Sequence, residues 1–170
     1  MDNFTGKINC TGCGALVDDL PEDFGPDHKY LGASPGCWQL YTLTGAKEFP
    51  NLTTRSLFAD TYMVQHPGTP SRQAIQSVAR HLLGLYWTLE RGLPFEKTTR
   101  AMQRAPVERF EWLLPPASLG PLTIVDIANN SGNAINDELV RQWAVTTWQA
   151  WATHHRTIRE WATLSFPDNI

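Results

Sequence analysis

Apolar side chains recur at three- and four-residue steps between Ser71 and Glu90, where Ile75, Val78, Leu82, Leu85 and Leu89 form one stripe. This spacing predicts a helix with one face in a core, opened by Ser71 and closed by Gly92 and Pro94. Ser34-Pro35 predicts an earlier helix running to about Lys47, because serine can accept from the orphan amides and proline suits the first helical position. A second helix is expected over about 54–65, stopped by His66-Pro67-Gly68. Residues 94–113 read as one or two short helices broken at Pro106, and 115–133 as a long, partly extended connection with a short strand at 122–127. From about Asn136 to Leu164 the pattern predicts one long helix, with Asp137 and Glu138 early and Arg156 and Arg159 late, as the helix dipole favours.

Residues 1–33 differ from all this. They are rich in Gly, Pro and Asp and show neither a 3.6- nor a 2.0-residue period, so they read as an irregular segment that needs outside support. The expected architecture is a mainly α single domain: a helical bundle over 34–170, with residues 1–33 laid across it as a zinc-stapled, metal-binding segment.

Composition narrows the function classes. The 170 residues carry a formal charge of −3, and the excess of acid sits in the first thirty, where six acidic residues face two lysines. A nucleic-acid partner is not expected, because the basic footprint is missing. No apolar run approaches the roughly 20 residues that span a bilayer, and MDNFTGKINC lacks a charged-then-apolar export pattern. A cytoplasmic protein with no membrane partner is therefore expected, with its three cysteines as free thiols or metal ligands rather than a disulfide framework.

Cys10-Thr11-Gly12-Cys13-Gly14 has the form of a metal knuckle, in which two intervening residues let both sulfurs reach one tetrahedral ion. A redox pair is disfavoured, because such pairs usually open a helix and this one leads into Gly14, Asp18 and Asp19. Cys37, in the first turn of its expected helix, is a ligand, a nucleophile or a buried small side chain. Completion of a zinc site falls to Cys37 and to His28 or His66. Structural zinc contributes apparent binding energies on the order of 10–16 kcal/mol in small peptides, enough to order a segment like 1–33.

Projected at 100° per residue, His154 and His155 fall on the apolar arc of the long helix, among Trp143, Trp148 and Trp151. Buried imidazoles need partners, because an unpaired buried polar group costs roughly 1–3 kcal/mol. Backbone or carboxylate partners would satisfy them; a metal or substrate would too. His81 has small neighbours, Ser77 and Gly84, on its side of the helix. Asp60, His66, His81 and His155 form a chemically sensible set for a metal-activated water, so Asp60, His81 and His155 are candidate catalytic residues of a hydrolase or transferase. Most of the seven tryptophans are expected in the core, though several could wall an aromatic pocket for a small molecule. A third reading is a non-catalytic module binding a protein through aromatic surface. No P-loop, GxGxxG, GxSxG or HExxH motif is present.

Taken together, Cys10-x2-Cys13-Gly14, Gly32-Ala33-Ser34-Pro35-Gly36-Cys37-Trp38, Asp60-x-Tyr62-x2-Gln65-His66-Pro67-Gly68, the stretch from Arg72 to His81-Leu82, and Trp148-x2-Trp151-x2-His154-His155 form a distinctive set. On these motifs the chain resembles the uncharacterised bacterial family catalogued as domain of unknown function 5946. The resemblance spans nearly the whole chain and implies a single, mainly helical domain; it brings no activity with it.

Overall fold

The amphipathic stripe between Ser71 and Leu85 forms a helix that lies against the helix before it, and this pair is the centre of the molecule. The computed structural model describes residues 6–165. Seven α-helices run in order among them: α1 (Pro35–Gly45), α2 (Leu52–Val64), α3 (Arg72–Leu85), α4 (Phe95–Gln103), α5 (Ile124–Asn129), α6 (Asp137–Ala150) and α7 (His155–Ser165). α2 packs against both α3 and α6 and contributes Leu57, Phe58, Tyr62 and Val64 to the core, where they meet Val78, Leu82 and Leu85 of α3 and Val140, Trp143 and Ala144 of α6. Each start is fixed by local chemistry. Asn51 Oδ1 accepts from the Thr54 amide at 2.8 Å, Ser71 Oγ from Ala74 at 3.1 Å, and Asn136 Oδ1 from Leu139 at 3.1 Å. α3 does not end at Leu85 but widens into a π turn over Tyr86–Glu90 that carries the stripe to Leu89.

Two expectations about secondary structure are corrected. Residues 122–127 are not a strand: α5 begins at Ile124, capped by Thr123, whose hydroxyl accepts from Val125 while Asp126 accepts from the Thr123 amide at 2.8 Å. The β-branched run Thr-Ile-Val suggests a strand, yet the Thr123/Asp126 capping box outweighs that preference.

The long C-terminal helix is two helices. At Trp151 the backbone leaves helical geometry and a 3-10 turn over Ala152–His154 intervenes. The Trp148 carbonyl, released from its usual partner four residues on, is taken by the Trp151 amide at 3.1 Å and by the His155 ring at 2.9 Å. Trp148, Trp151, Ile158 and Trp161 all reach the core on the two sides of the break.

The N-terminal segment is less irregular than its composition suggests. β1 (Lys7–Asn9) and β2 (Leu16–Asp18) pair antiparallel, Ile8 opposite Val17, and frame the knuckle between them. Val17 is the inward residue of this hairpin; β2 lies against α1.

Among the described residues no helix is long and apolar enough to cross a membrane.

Candidate metal centre

Four side chains from three separate stretches meet beneath the hairpin. Cys10 and Cys13 come from the knuckle, Cys37 from the first turn of α1, and His66 from just past the end of α2; their Sγ and Nε2 atoms all lie within 4.8 Å of one another. Cys13 Sγ is 3.9 Å from Cys37 Sγ, and Cys37 Sγ is 3.4 Å from His66 Nε2. A sulfur–sulfur separation near 3.9 Å excludes a disulfide, which needs about 2.05 Å. It matches the edge of a tetrahedron instead. With metal–sulfur bonds of about 2.3 Å and metal–nitrogen bonds of about 2.05 Å, tetrahedral edges come to roughly 3.8 Å between sulfurs and roughly 3.6 Å from sulfur to nitrogen. Among the described residues this is the one group of three or more Cys, His, Asp or Glu side chains gathered in this way.

The backbone around the knuckle explains how the cluster is held. Cys10 N–H donates to the Ala15 carbonyl at 2.8 Å and Gly14 N–H to the Cys10 carbonyl at 2.9 Å, a tight reversal for which Gly14 takes φ of +76°. Gly12 lies so close to the Gly32 carbonyl and the His66 ring that a Cβ at this position would collide with both. Ser34 does not cap α1, contrary to expectation. Its hydroxyl accepts from the Thr11 amide at 3.1 Å and its own amide donates to Cys10 Sγ at 3.5 Å, so the residue serves the knuckle.

His66 is oriented for ligation. Its Nδ1 lies 2.6 Å from the Tyr62 carbonyl. A carbonyl can only accept, so Nδ1 carries the hydrogen and Nε2 presents its lone pair to the sulfurs, the outer-shell arrangement usual for metal-bound histidine. Tyr62, fully buried, adds a hydroxyl that donates to Cys37 Sγ at 3.5 Å, and its ring stacks between Tyr41 and His66. The sequence marks Ser34 as a helix cap and Tyr62 only as a neighbour of candidate ligands, so neither is legible there as a support of the knuckle.

Left to protons alone, the cluster shares them unevenly. Hydrogen bonds from Cys13 and Cys37 hold the Cys10 thiol far below its ordinary range despite burial. Hydrogen bonds with Cys10 and Cys13, together with burial, push the Cys37 thiol far above it. Burial disfavours the charged His66, but hydrogen bonds to Cys10 and Cys13 outweigh it and push His66 up to about 9. A metal binding here at neutral pH must therefore displace protons from Cys37 and His66.

The remaining candidates lie elsewhere. His28 is exposed, stacked on Tyr30, and is not one of the four gathered donors. His155 stacks on Trp148 at 3.8 Å, bonds to the Trp148 carbonyl and lies 3.9 Å from Glu90, itself held by Arg159 at 2.7 Å. His154 bonds to the Leu114 carbonyl at 2.8 Å. Of Asp60, His66, His81 and His155, only Asp60 and His81 touch, at 2.7 Å. The four do not gather round one point, because α2 and α3 bring two of them together while His66 belongs to the thiol cluster and the helix break turns His155 onto Trp148.

The cleft beside the cluster, about 600 Å³, is walled by the knuckle, Gly32, Pro67–Thr69 and Pro115–Gly120, with no tryptophan or histidine. Trp38, Tyr41, Phe49 and Phe58 instead line a separate pocket of about 290 Å³ at α1 and α2, while Trp87, Trp143, Trp148, Trp151 and Trp161 are buried.

The model of the family of unknown function DUF5946 matches residues 8–152. No curated protein and no solved structure matches the chain. The matched span contains all four gathered donors, and the chain belongs to this family of unknown function, DUF5946.

Proposed function

We propose that the protein is a zinc protein in which Cys10, Cys13, Cys37 and His66 hold one ion as a structural staple. The carrying observation is the four-donor cluster itself, with edges close to those of a tetrahedral site and His66 Nε2 presented by its bond to Tyr62. Three thiolates and one imidazole suit zinc in preference to calcium or magnesium, which take oxygen donors. Four protein ligands leave no position for water, so the ion's work is to hold the hairpin and the loop after α2 against α1 rather than to carry out chemistry. An aromatic small molecule is a candidate occupant of the Trp38 pocket, a binding role separate from the staple.

Protein purified without chelator should contain about one equivalent of zinc, and cobalt exchanged into it should give the intense visible bands and sulfur-to-metal charge transfer of a tetrahedral thiolate site. Less than about a tenth of an equivalent, with no cobalt spectrum, would remove the reading. Zinc uptake by metal-free protein near pH 7 should release at least two protons, from Cys37 and His66. The sign follows: acid returns those protons, so affinity falls as pH falls. Titration calorimetry in buffers of differing ionisation enthalpy measures the release, and a slope of zero would show that other groups bind the ion.

A further inference from the structure

The four donors of the metal cluster are not equally protected. Cys37 is fully buried and its sulfur accepts from the Tyr62 hydroxyl at 3.5 Å, while Cys10 is 3% exposed and its sulfur accepts from the Ser34 amide at 3.5 Å. His66 is buried too, with Nδ1 spent on the Tyr62 carbonyl. Cys13 differs on both counts. It is half-buried, and among the described residues no N–H or O–H donates to its sulfur, which meets Cys37 Sγ at 3.9 Å. A donated hydrogen bond stabilises a thiolate and so weakens it as a nucleophile, which leaves Cys13 the most reactive of the three sulfurs.

Cys13 also has an approach path. It lines the cleft of about 600 Å³ together with Gly12, Gly14, Thr69 and Ser118. Cys10 borders the same cleft but is closed off by its burial, and Cys37 is not part of the wall. A small oxidant entering there meets Cys13 first. Its sulfur then has a second sulfur within reach, because shortening 3.9 Å to the roughly 2.05 Å of a disulfide needs a shift of only about 2 Å.

Resting on the zinc reading above, we propose that Cys13 is a peroxide-reactive thiolate and that its oxidation, completed by Cys37, opens the metal staple. The Cys13 thiolate attacks one oxygen of hydrogen peroxide; a sulfur–oxygen bond forms, the oxygen–oxygen bond breaks, and the second oxygen leaves as hydroxide. The Cys37 thiolate then attacks the Cys13 sulfur of this sulfenic acid, forming the disulfide and expelling the hydroxyl group as a second hydroxide. Each thiolate gives up one electron, and one peroxide takes both. Two donors are lost by this step, and Cys10 with His66 are too few to retain the ion. The bridge keeps the knuckle on α1, but the Pro67–Thr69 wall of the cleft loses its metal tie through His66.

The test uses the full wild-type chain, with its zinc measured first, and hydrogen peroxide as the probe. Peroxide should release about one zinc per chain to a chromophoric chelator, with one disulfide gained, mapped by mass spectrometry to Cys13 and Cys37. Dimedone present from the start should trap the sulfenic acid on Cys13 rather than on Cys10 or Cys37, and dithiothreitol with added zinc should return the metal. Zinc kept under excess peroxide, a dimedone adduct first on another cysteine, or a bridge between another pair of sulfurs overturns the proposal while leaving the staple standing. Protein that holds no zinc before peroxide is added removes the staple, and this inference with it.

Discussion

Cys37→Ser is expected to abolish stoichiometric metal binding and to lower stability by about 5 kcal/mol or more, or about 10–20 °C in Tm for a chain of this size. Cys37 is fully buried, and it is the donor seen in direct contact with both another thiol and the imidazole: 3.9 Å to Cys13 Sγ and 3.4 Å to His66 Nε2. It also accepts from the Tyr62 hydroxyl. Serine is a poor zinc ligand at neutral pH and too short to restore these contacts. Metal binding free energy is folding free energy wherever the site exists only in the folded chain, and peptides put the whole term on the order of 10–16 kcal/mol. About a third to a half of that suffices for the stated loss. The unfolding should begin at the hairpin, so limited proteolysis should cut between β2 and α1 before it cuts α3. Chelation of wild type should reproduce the pattern, and excess zinc should rescue chelated wild type but not the variant. Full metal content and an unchanged Tm in Cys37→Ser would sink both the ligand assignment and the staple.

Gln65→Leu should cost about 3–6 kcal/mol without removing any metal ligand. Gln65 is 1% exposed and completely used. Its Nε2 donates to the Leu119 and Leu122 carbonyls at 3.0 and 2.9 Å and lies 3.1 Å from Thr147 Oγ1, while its Oε1 accepts from Trp143 Nε1 at 3.1 Å. Leucine fills much of the volume but strands an indole N–H and two carbonyls in the core. Gln65→Glu should be no milder, because a carboxylate faces the same two carbonyls. Urea unfolding gives the magnitude. The local signature is protease sensitivity around Leu119–Leu122, since this side chain ties that connection to α2 and α6. A change below about 1 kcal/mol would show that water replaces the lost partners.

Gln65 also shows where reading the chain stops. α3 is legible because its own stripe and its Ser71 cap agree, and the knuckle is legible because two sulfurs and two glycines sit within five residues. Long-range partners leave no such trace. His28 and His66 are equivalent candidates by composition. Only the end of α2, fixed by the Tyr62 carbonyl, turns His66 toward the thiols, while His28 stacks on Tyr30 at the surface. The projection of His154 and His155 onto one apolar arc assumes an unbroken helix, and the break at Trp151 invalidates it. That break has no Pro or Gly to announce it, and the Trp148 carbonyl beside it accepts from the His155 imidazole. By residue type Asp60 and His81 suit a shared metal, yet what Gly84 makes room for is their direct bond.

The spacing of the four donors along the chain bears on the order of assembly during synthesis. Cys37 follows Cys13 by 24 positions and His66 follows Cys37 by 29. Because closure entropy rises only with the logarithm of loop length, one ion can draw these loops together at a cost of a few kcal/mol. The last donor to leave a ribosome is His66, with more than 100 of the 170 residues still to come. Capture of zinc at that stage would fix the hairpin against α1 and the end of α2 before α6 exists to pack on α2. Metal supply during translation, rather than affinity in the finished protein, would then set the yield of correctly folded chain.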